Sequence, residues 1–288
     1  MIDILVLNYN DAATTTNFVK SIRNYSCVRT ILVVDNHSKD DSLNCLKSLE
    51  DEKVVVIDSG ENKGYGTGNN IGIRYLFEHY QAEYVLLSNP DVIVKENVLI
   101  ELEKFLKKNN DYAIVAPFML NAKRLREKNT AFRIPSKWEY ILSISLLLTK
   151  CNNLFYYKNL EKETKRVIDV GSVTGSMFMM RTKDMLKYGM FDENIFLYCE
   201  EIVLGIKIQK AHKKIALMTE HTFVHNHSVS ISKTYKSVVA KQRLLIKSKL
   251  YVLKRYFNIN LFEYFIALFL SKMSIVEIFI LGFLRRSK

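Results

Sequence analysis

The chain has 288 residues, 48% hydrophobic and 25% charged, which is enough to bury a full core and predicts one large domain with extra helices. The net charge of +12 is concentrated at one end: residues 233–288 hold twelve Lys and Arg against two Glu, so residues 1–232 carry only +2. The four cysteines lie far apart without a C-x-x-C pair, which argues against a zinc site or a disulfide framework and favours the cytosol. No basic segment or cleavage site precedes the first strand, so no signal peptide is expected.

Residues 1–116 alternate predicted strands and helices. Strands are predicted over 2–7, 30–35, 53–57, 84–88 and 112–116, and helices over 12–24, 41–50, 69–80 and 96–109. This alternation is typical of right-handed βαβ units on a parallel sheet. We therefore predict an α/β fold with a mostly parallel sheet flanked by helices.

Three predicted strands end in polar clusters, at residues 8–10, 35–38 and 89–91. Because the carboxyl ends of parallel strands meet at one sheet edge, where open α/β sheets bind ligands, we expect these clusters to share a cleft. Each cluster is also compatible with helix capping, for which Asn10 or Asp11 and Ser38 or Asp40 are candidates.

The strand over 84–88 runs into Asn89-Pro90-Asp91, and Pro90 has no N–H with which to continue a ladder. Asp91 is therefore expected at the carboxyl end of the strand, where a carboxylate can hold a divalent cation against a diphosphate. The alternative is a turn aspartate that caps the next helix.

The segment 61–72 is rich in glycine and leads into a helix. Glycine permits close backbone approach, and a helix N-terminus offers free N–H groups to phosphate. The segment matches neither the Rossmann nor the Walker fingerprint, and a glycine-rich loop alone is a weak signal that is more often only a turn.

We expect residues 118–165 to form either an acceptor-side insertion or a helical hairpin. We expect residues 173–181 to form a buried strand or the start of a helix. The adjacent acids Glu200 and Glu201 follow an aromatic-rich loop and form a second candidate catalytic point. Acids in the first turn of a helix, suited to its dipole, are the alternative. Beyond a strand over 214–219, His225 and His227 alternate on an extended segment, as metal ligands or as ordinary polar surface.

The tail begins with a helix predicted over 233–257. Around the axis of this helix, four basic residues fall within about 20° of one direction: Lys236, Arg243, Lys247 and Lys254. The opposite side carries Val238, Leu245, Val252 and Tyr256. Residues 261–284 are apolar nearly all round, interrupted by Glu263, Lys272 and Glu277, and the uncharged run is too short to span a bilayer. We predict that this tail docks on an anionic leaflet; a dimer contact and a core helix are the alternatives.

With these motifs in order, the chain resembles family 2 glycosyltransferases of the rhamnosyltransferase-like branch of bacterial polysaccharide synthesis. The matching stretches are 7–10, 33–38, 62–72, 88–91, 174–176, 189–193, 200–201 and His225. The resemblance implies a GT-A fold, a nucleoside-diphosphate sugar as donor, a divalent metal (Mn²⁺ or Mg²⁺) and inversion at the anomeric carbon. It also implies domains over 1–232, with a nucleotide-sugar half (1–116) and an acceptor half (117–232), and over 233–288.

The same resemblance implies roles for individual residues. Donor-binding residues would be Asn8, Asp35, Asn36, Asn62, Gly64 and Asn69, and metal ligands would be Asp91 and His225. Glu201 aligns with the base that accepts the acceptor's proton, with Glu200 as the alternative. The family usually has Glu-Asp and a further Asp two residues on, where this chain has Glu201 and Val203.

The sequence thus predicts an inverting, metal-dependent transferase on the cytoplasmic face of the plasma membrane, acting on a lipid-linked oligosaccharide with rhamnose as the expected sugar. Two alternatives stay open: nucleotidyl transfer, and a degenerate nucleotide-sugar-binding protein. Nucleic-acid binding ranks last because the basic charge sits in an apolar-flanked tail rather than among exposed stacking aromatics. An oligomer is compatible with the sequence.

Overall fold

A computed structural model describes residues 1–152, 154–226 and 237–286. The strands are β1 Ile2–Asn8, β2 Val28–Asp35, β3 Val54–Asp58, β4 Tyr84–Ser88, β5 Val92–Ile93, β6 Tyr112–Leu120, β7 Ala131–Phe132, β8 Val167–Val170, β9 Ser172–Val173, β10 Met177–Arg181 and β11 Lys214–His225. The helices are α1 Ala12–Ile22, α2 Ser42–Lys47, α3 Tyr65–Tyr80, α4 Glu96–Lys108, α5 Lys137–Leu142, α6 Leu146–Asn152, α7 Thr182–Asp184, α8 Glu200–Lys210, α9 Val238–Tyr256 and α10 Leu261–Arg286.

One mixed sheet organises the molecule, in the order β3-β2-β1-β4-β10-β6-β11-β5, with β8 paired to β11. The first four strands are parallel throughout. Strand β10 is antiparallel to both neighbours, β4 and β6, whereas β6 and β11 are parallel to each other. Strands β1 to β4, β6 and β11 therefore point the same way, as the predicted mostly parallel sheet requires, and β10 from the second half of the chain separates β4 from β6.

Both faces of the sheet are covered, because alternate residues of each central strand enter different apolar clusters. Ile2, Ile4 and Val6 of β1 pack on the face of α1 and α4, whereas Leu5 packs on the opposite face with α3 and α8. Such strands read as continuous apolar runs, which is why they could be predicted from sequence.

Two of the boundaries that differ from the prediction bear on the site. Helix α3 begins at Tyr65, four residues before the predicted start, because Gly64 takes a φ of 102° as its N-cap. Strand β11 continues past the predicted end at Thr219 to His225, through an irregularity between Met218 and Thr222. That extension carries His225 to the end of a sheet strand.

The two tail helices share a third apolar cluster with α5 and α8. Ile246, Val252 and Leu253 of α9 and Ala267 and Leu270 of α10 pack there against Val203, Ile206 and other residues of α5 and α8. Arg243, Lys247 and Lys254 are exposed, as the predicted basic line requires. Residues 233–236 of the predicted helix, 287–288 and His227 lie outside the described residues.

Helix α10 turns its polar side chains inward. Glu263 is 4% exposed and meets Lys137, and Glu277 is 4% exposed and accepts hydrogen bonds from the Ser145 hydroxyl (2.6 Å) and the Leu146 amide (2.7 Å). The outer face carries exposed Lys272 and is otherwise apolar among the residues whose burial is described: Leu261, Phe262, Phe265, Phe269, Met273, Val276, Phe279 and Ile280 are exposed. Within the described residues, no helix combines the length and the hydropathy that crossing a bilayer requires.

Candidate active site

Asn8 and Asp35 lie side by side at the carboxyl ends of β1 and β2. The Asn8 amide donates to Asp35 Oδ1 at 2.7 Å, and the Thr15 hydroxyl donates to Asn8 Oδ1 at 2.7 Å. The Ser38 hydroxyl also donates to Asp35 Oδ1, at 2.7 Å, while its backbone N–H donates to Oδ2. Asn8 and Asp35 are each 1% exposed, and hydrogen bonds from within the chain hold both side chains at the ends of β1 and β2. Ser38 bonds across the strands and does not cap α2.

Asn36 ties the end of β2 to the glycine-rich loop. Its side-chain amide donates to Asn62 Oδ1 at 3.1 Å and to the Gly64 carbonyl at 3.4 Å. Asn62 Oδ1 also accepts the Gly64 N–H at 3.0 Å, and the Ser59 hydroxyl donates to Asn36 Oδ1 at 3.3 Å. The loop is therefore fixed in place by side-chain amides.

Gly64 and Asn69 shape the start of α3. A Cβ at Gly64 would lie 2.1 Å from the Phe196 carbonyl oxygen, so only glycine fits both the space and the backbone angle. The Asn69 amide donates to the Tyr65 carbonyl at 2.9 Å. Its oxygen is buried and makes no hydrogen bond within the described residues, which leaves an acceptor available in the first turn of α3.

Asp91 and His225 meet where β5 pairs with the end of β11. Strand β5 follows Asp91 immediately and pairs antiparallel with the end of β11, opposing Val92 to His225. His225 Nε2 lies 3.1 Å from Asp91 Oδ1, and both side chains are 10% exposed. The two side chains hydrogen-bond each other, and a carboxylate oxygen beside an imidazole nitrogen is a donor set that would suit a divalent ion. Within the described ranges, no three His, Cys, Asp or Glu side chains converge on a metal position.

Glu200 and Glu201 open helix α8. Glu201 Oε1 accepts the Gly175 N–H at 3.2 Å, and its carbonyl accepts the Ser172 hydroxyl at 2.5 Å. Glu200 is 5% exposed with Oε1 lacking a hydrogen bond within the described residues, whereas Glu201 is only partly buried. Burial raises the pKa of the Glu201 carboxyl; burial, together with the charge of Glu201, raises the pKa of Glu200 well above its usual range. Both carboxyls of the pair are therefore easier to protonate than an exposed glutamate.

Residues 174–176 connect the donor side, the metal candidates and the acid pair. The Asn89 N–H donates to the Ser176 carbonyl at 2.8 Å, next to Asp91. The Tyr65 hydroxyl donates to the Gly175 carbonyl at 2.7 Å, while the Gly175 N–H meets Glu201. A Cβ at Gly175 would lie 3.2 Å from both the Tyr65 hydroxyl and Glu201 Oε1. Hydrogen bonds through residues 174–176 therefore link the glycine-rich loop, Glu201 and the turn that precedes Asp91.

Three participants were not assigned roles from sequence: Ser38, Tyr65 and Gly175. Ser38 was noted only within a polar cluster that also suits a helix cap. Tyr65 and Gly175 are 110 residues apart, so no spacing rule links them. The only sequence signal for them is that Tyr65 lies in the glycine-rich motif and Gly175 in the Thr-Gly-Ser motif.

Comparison with known proteins places these features in a wider context. The profile of Glycosyl transferase family 2 matches residues 3–188. The chain is 28% identical over 228 residues to the low-salt glycan biosynthesis hexosyltransferase Agl10 of Haloferax volcanii, covering 79% of this chain and 68% of that protein. It is 27% identical over 186 residues to the rhamnosyltransferase WbbL of Escherichia coli K12, covering 62% and 68%.

Two solved structures share the fold. GalNAc-T7 with UDP, GalNAc and Mn²⁺ superposes with a TM-score of 0.66 at 14% identity, over 89% of this chain and 50% of that chain. The mannosyltransferase PcManGT of Pyrobaculum calidifontis with GDP-Man and Mn²⁺ superposes with a TM-score of 0.57 at 12% identity, over 88% and 64%. This chain therefore spans half to two thirds of the length of those structures and has the same GT-A arrangement.

Proposed function

This chain belongs to glycosyl transferase family 2, and we propose on that premise that it moves rhamnose from a nucleoside-diphosphate sugar to a lipid-linked oligosaccharide in cell-surface polysaccharide synthesis. The observation that carries the proposal is the hydrogen bonding of residues 174–176, which hold both Asn89, two residues before Asp91, and the carboxylate of Glu201. Likeness to a hexosyltransferase and to a rhamnosyltransferase supports the sugar class.

The transfer is a single displacement with inversion. Glu201 accepts the proton of the acceptor hydroxyl, whose oxygen bonds to the anomeric carbon as the bond from that carbon to the diphosphate breaks. A divalent cation held by Asp91 and His225 would, when bound, offset the charge that develops on the leaving diphosphate. The fixed loop at Asn62–Gly64 and the N-terminus of α3 hold the diphosphate and ribose.

Glu201 is the base in this proposal, and Glu200 is the buried acid beside it. Glu201 is partly exposed and accepts the Gly175 N–H, whereas Glu200 is 5% exposed. Val203, where the family usually has a second acid, is 1% exposed in the apolar cluster shared with the tail. An acid at that position would face this cluster, so its absence does not favour a degenerate site.

We propose further that α10 docks the enzyme on an anionic membrane from the cytoplasmic side. Its exposed apolar residues cover an arc of about 120° on one helix face, and exposed Lys272 lies within it. A helix with aromatic residues on one face and cations nearby suits the interface between acyl chains and anionic headgroups. Binding there raises the local concentration of a lipid-linked acceptor.

Product release tests the enzymatic proposal. Full-length protein is incubated with Mn²⁺ or Mg²⁺, a panel of nucleotide sugars and a lipid extract, and the release of nucleoside diphosphate is measured. A parallel incubation with nucleoside triphosphates and sugar 1-phosphates measures the release of pyrophosphate. We expect nucleoside diphosphate from one donor, abolished in Asp91→Ala and retained in Asp111→Ala, an exposed carboxylate at the opposite sheet edge. Pyrophosphate release would establish nucleotidyl transfer instead, and nucleotide binding without turnover would establish a binding protein.

Sedimentation with liposomes tests the membrane proposal. We expect the protein to pellet with vesicles of phosphatidylcholine and phosphatidylglycerol, and Phe265→Ser/Phe269→Ser/Phe279→Ser to stay in the supernatant. Wild-type protein that remains in the supernatant and forms a concentration-dependent dimer would reassign the apolar face to a contact between copies.

A further inference from the structure

We propose that helix α9 is a positioning element for the acid pair, acting through residues 190–199, here named the bridging segment; this proposal rests on the function proposed above. Asp192 of the bridging segment is 9% exposed and accepts hydrogen bonds from the hydroxyls of Tyr251 (2.9 Å) and Tyr256 (2.7 Å), both on α9. The other carboxylate oxygen accepts the backbone and side-chain N–H groups of Asn194, at 3.0 Å each.

The charge of Asp192 strengthens these contacts. Burial alone would raise the pKa of the Asp192 carboxyl, but the hydrogen bonds from Tyr256, Asn194 and Tyr251 outweigh it and lower that pKa. Hydrogen bonds to an ionised acceptor are roughly twice as strong as neutral ones. The Gly-Met-Phe-Asp-Glu motif therefore fastens the tail to the catalytic domain.

A second contact lies directly before the acid pair. The Ser248 hydroxyl of α9 donates to the Leu197 carbonyl at 2.7 Å. The next two residues, Tyr198 and Cys199, have φ values of 72° and 75°, a left-handed conformation that side chains with a Cβ rarely adopt. Strained backbone persists only where its surroundings hold it, and here the held turn sets the direction in which α8 and Glu201 emerge.

The donor side holds the same segment from the opposite flank. The Tyr65 N–H donates to the Phe196 carbonyl at 3.0 Å. Asn70 of α3 donates to the Phe191 carbonyl at 3.0 Å and accepts the Phe191 N–H at 2.9 Å. The bridging segment is thus clamped between the glycine-rich loop and α9, so release on the α9 side is expected to move the start of α8.

The test uses the full chain with Tyr251→Phe/Tyr256→Phe, which removes two hydroxyls and little volume. Tyr264→Phe in α10 is the matched control, because it removes a tail hydroxyl away from Asp192. Hydrogen–deuterium exchange is followed in peptides covering 190–205, and kcat, KM and the pH dependence of kcat are measured with the donor found active in the panel. The single variants Tyr256→Phe and Ser248→Ala are measured in parallel, so that a folding defect in the double variant does not decide the result.

For Tyr251→Phe/Tyr256→Phe, we expect faster exchange over 190–205 and a kcat lower than that of wild type by roughly tenfold or more. The donor KM should stay within about twofold of wild type, and the acid limb of the pH profile of kcat should shift. Unchanged exchange, or faster exchange with unchanged kcat and pH profile, would overturn the proposal. If wild type releases no nucleotide with any donor, the proposed function fails. Hydrogen–deuterium exchange over 190–205 in the variants then still shows whether α9 holds the bridging segment.

Discussion

Replacing Gly64 by alanine tests how the glycine-rich loop is held. Gly64 has a φ of 102°, and a Cβ built there lies 2.1 Å from the Phe196 carbonyl oxygen and 2.7 Å from its carbon and Cα. The backbone angle alone costs an L-residue ~1–2 kcal/mol. Overpacking against rigid backbone costs a further ~1–3 kcal/mol, and displacement of the Tyr65 N–H from Phe196 removes a hydrogen bond worth about 1 kcal/mol.

Gly60→Ala is the matched control for that experiment. Gly60 also has a positive φ, 77°, but a Cβ there meets nothing within 4 Å, so only the ~1–2 kcal/mol backbone term applies. In urea unfolding, we expect Gly64→Ala to be less stable than Gly60→Ala by roughly 2–4 kcal/mol, and to bind nucleoside diphosphate with Mn²⁺ more weakly. Equal free energies of unfolding for the two variants would refute the close approach to Phe196 on which the reasoning depends.

Three further predictions concern buried acids. Glu201→Gln should preserve nucleotide binding and suppress transfer, and near-normal turnover of this variant would assign the base elsewhere. In the wild type, the pKa of Glu201 is raised, so kcat should fall as pH decreases through that pKa. The Glu200 carboxyl has a pKa raised above its ordinary 4.5, so its stabilising contribution is complete below 4.5 and is lost as pH rises through the folded-state pKa. In urea unfolding, we therefore expect the free energy of unfolding of Glu200→Gln, relative to that of wild type, to be higher at pH 8 than at pH 4. A difference between the two proteins that does not change with pH would contradict this. Glu277→Ala leaves the Leu146 amide without its carboxylate and should cost ~1–3 kcal/mol in thermal unfolding, against little change for exposed Lys272→Ala.

The first half of the fold could be predicted because its signals are local. Buried strands of β-branched and leucine residues read as apolar runs, and polar residues at their ends fall on one edge in any parallel sheet. Asp91 could be placed at the end of β4 for the same reason, and Pro90 marks where the ladder stops.

The partners of the site residues could not be predicted in the same way. Strand β10 enters the sheet between β4 and β6, against the direction of both, and brings residues 174–176 beside Asn89 and Glu201. That insertion depends on pairing between distant segments, for which no local pattern exists. His225 meets Asp91 only because β11 continues past its bulge to pair with β5.

The tail shows which structural features the sequence alone determines and which depend on tertiary packing. Its composition determined that it is basic, apolar and helical, since charge and helical periodicity are properties of the residues themselves. Which face of α10 is covered was decided by tertiary packing: Glu263 and Glu277, which interrupt the apolar run in sequence, bind Lys137 and the start of α6, and so leave the aromatic residues outside. A buried carboxylate needs a hydrogen-bonding partner, and only the folded chain supplies one.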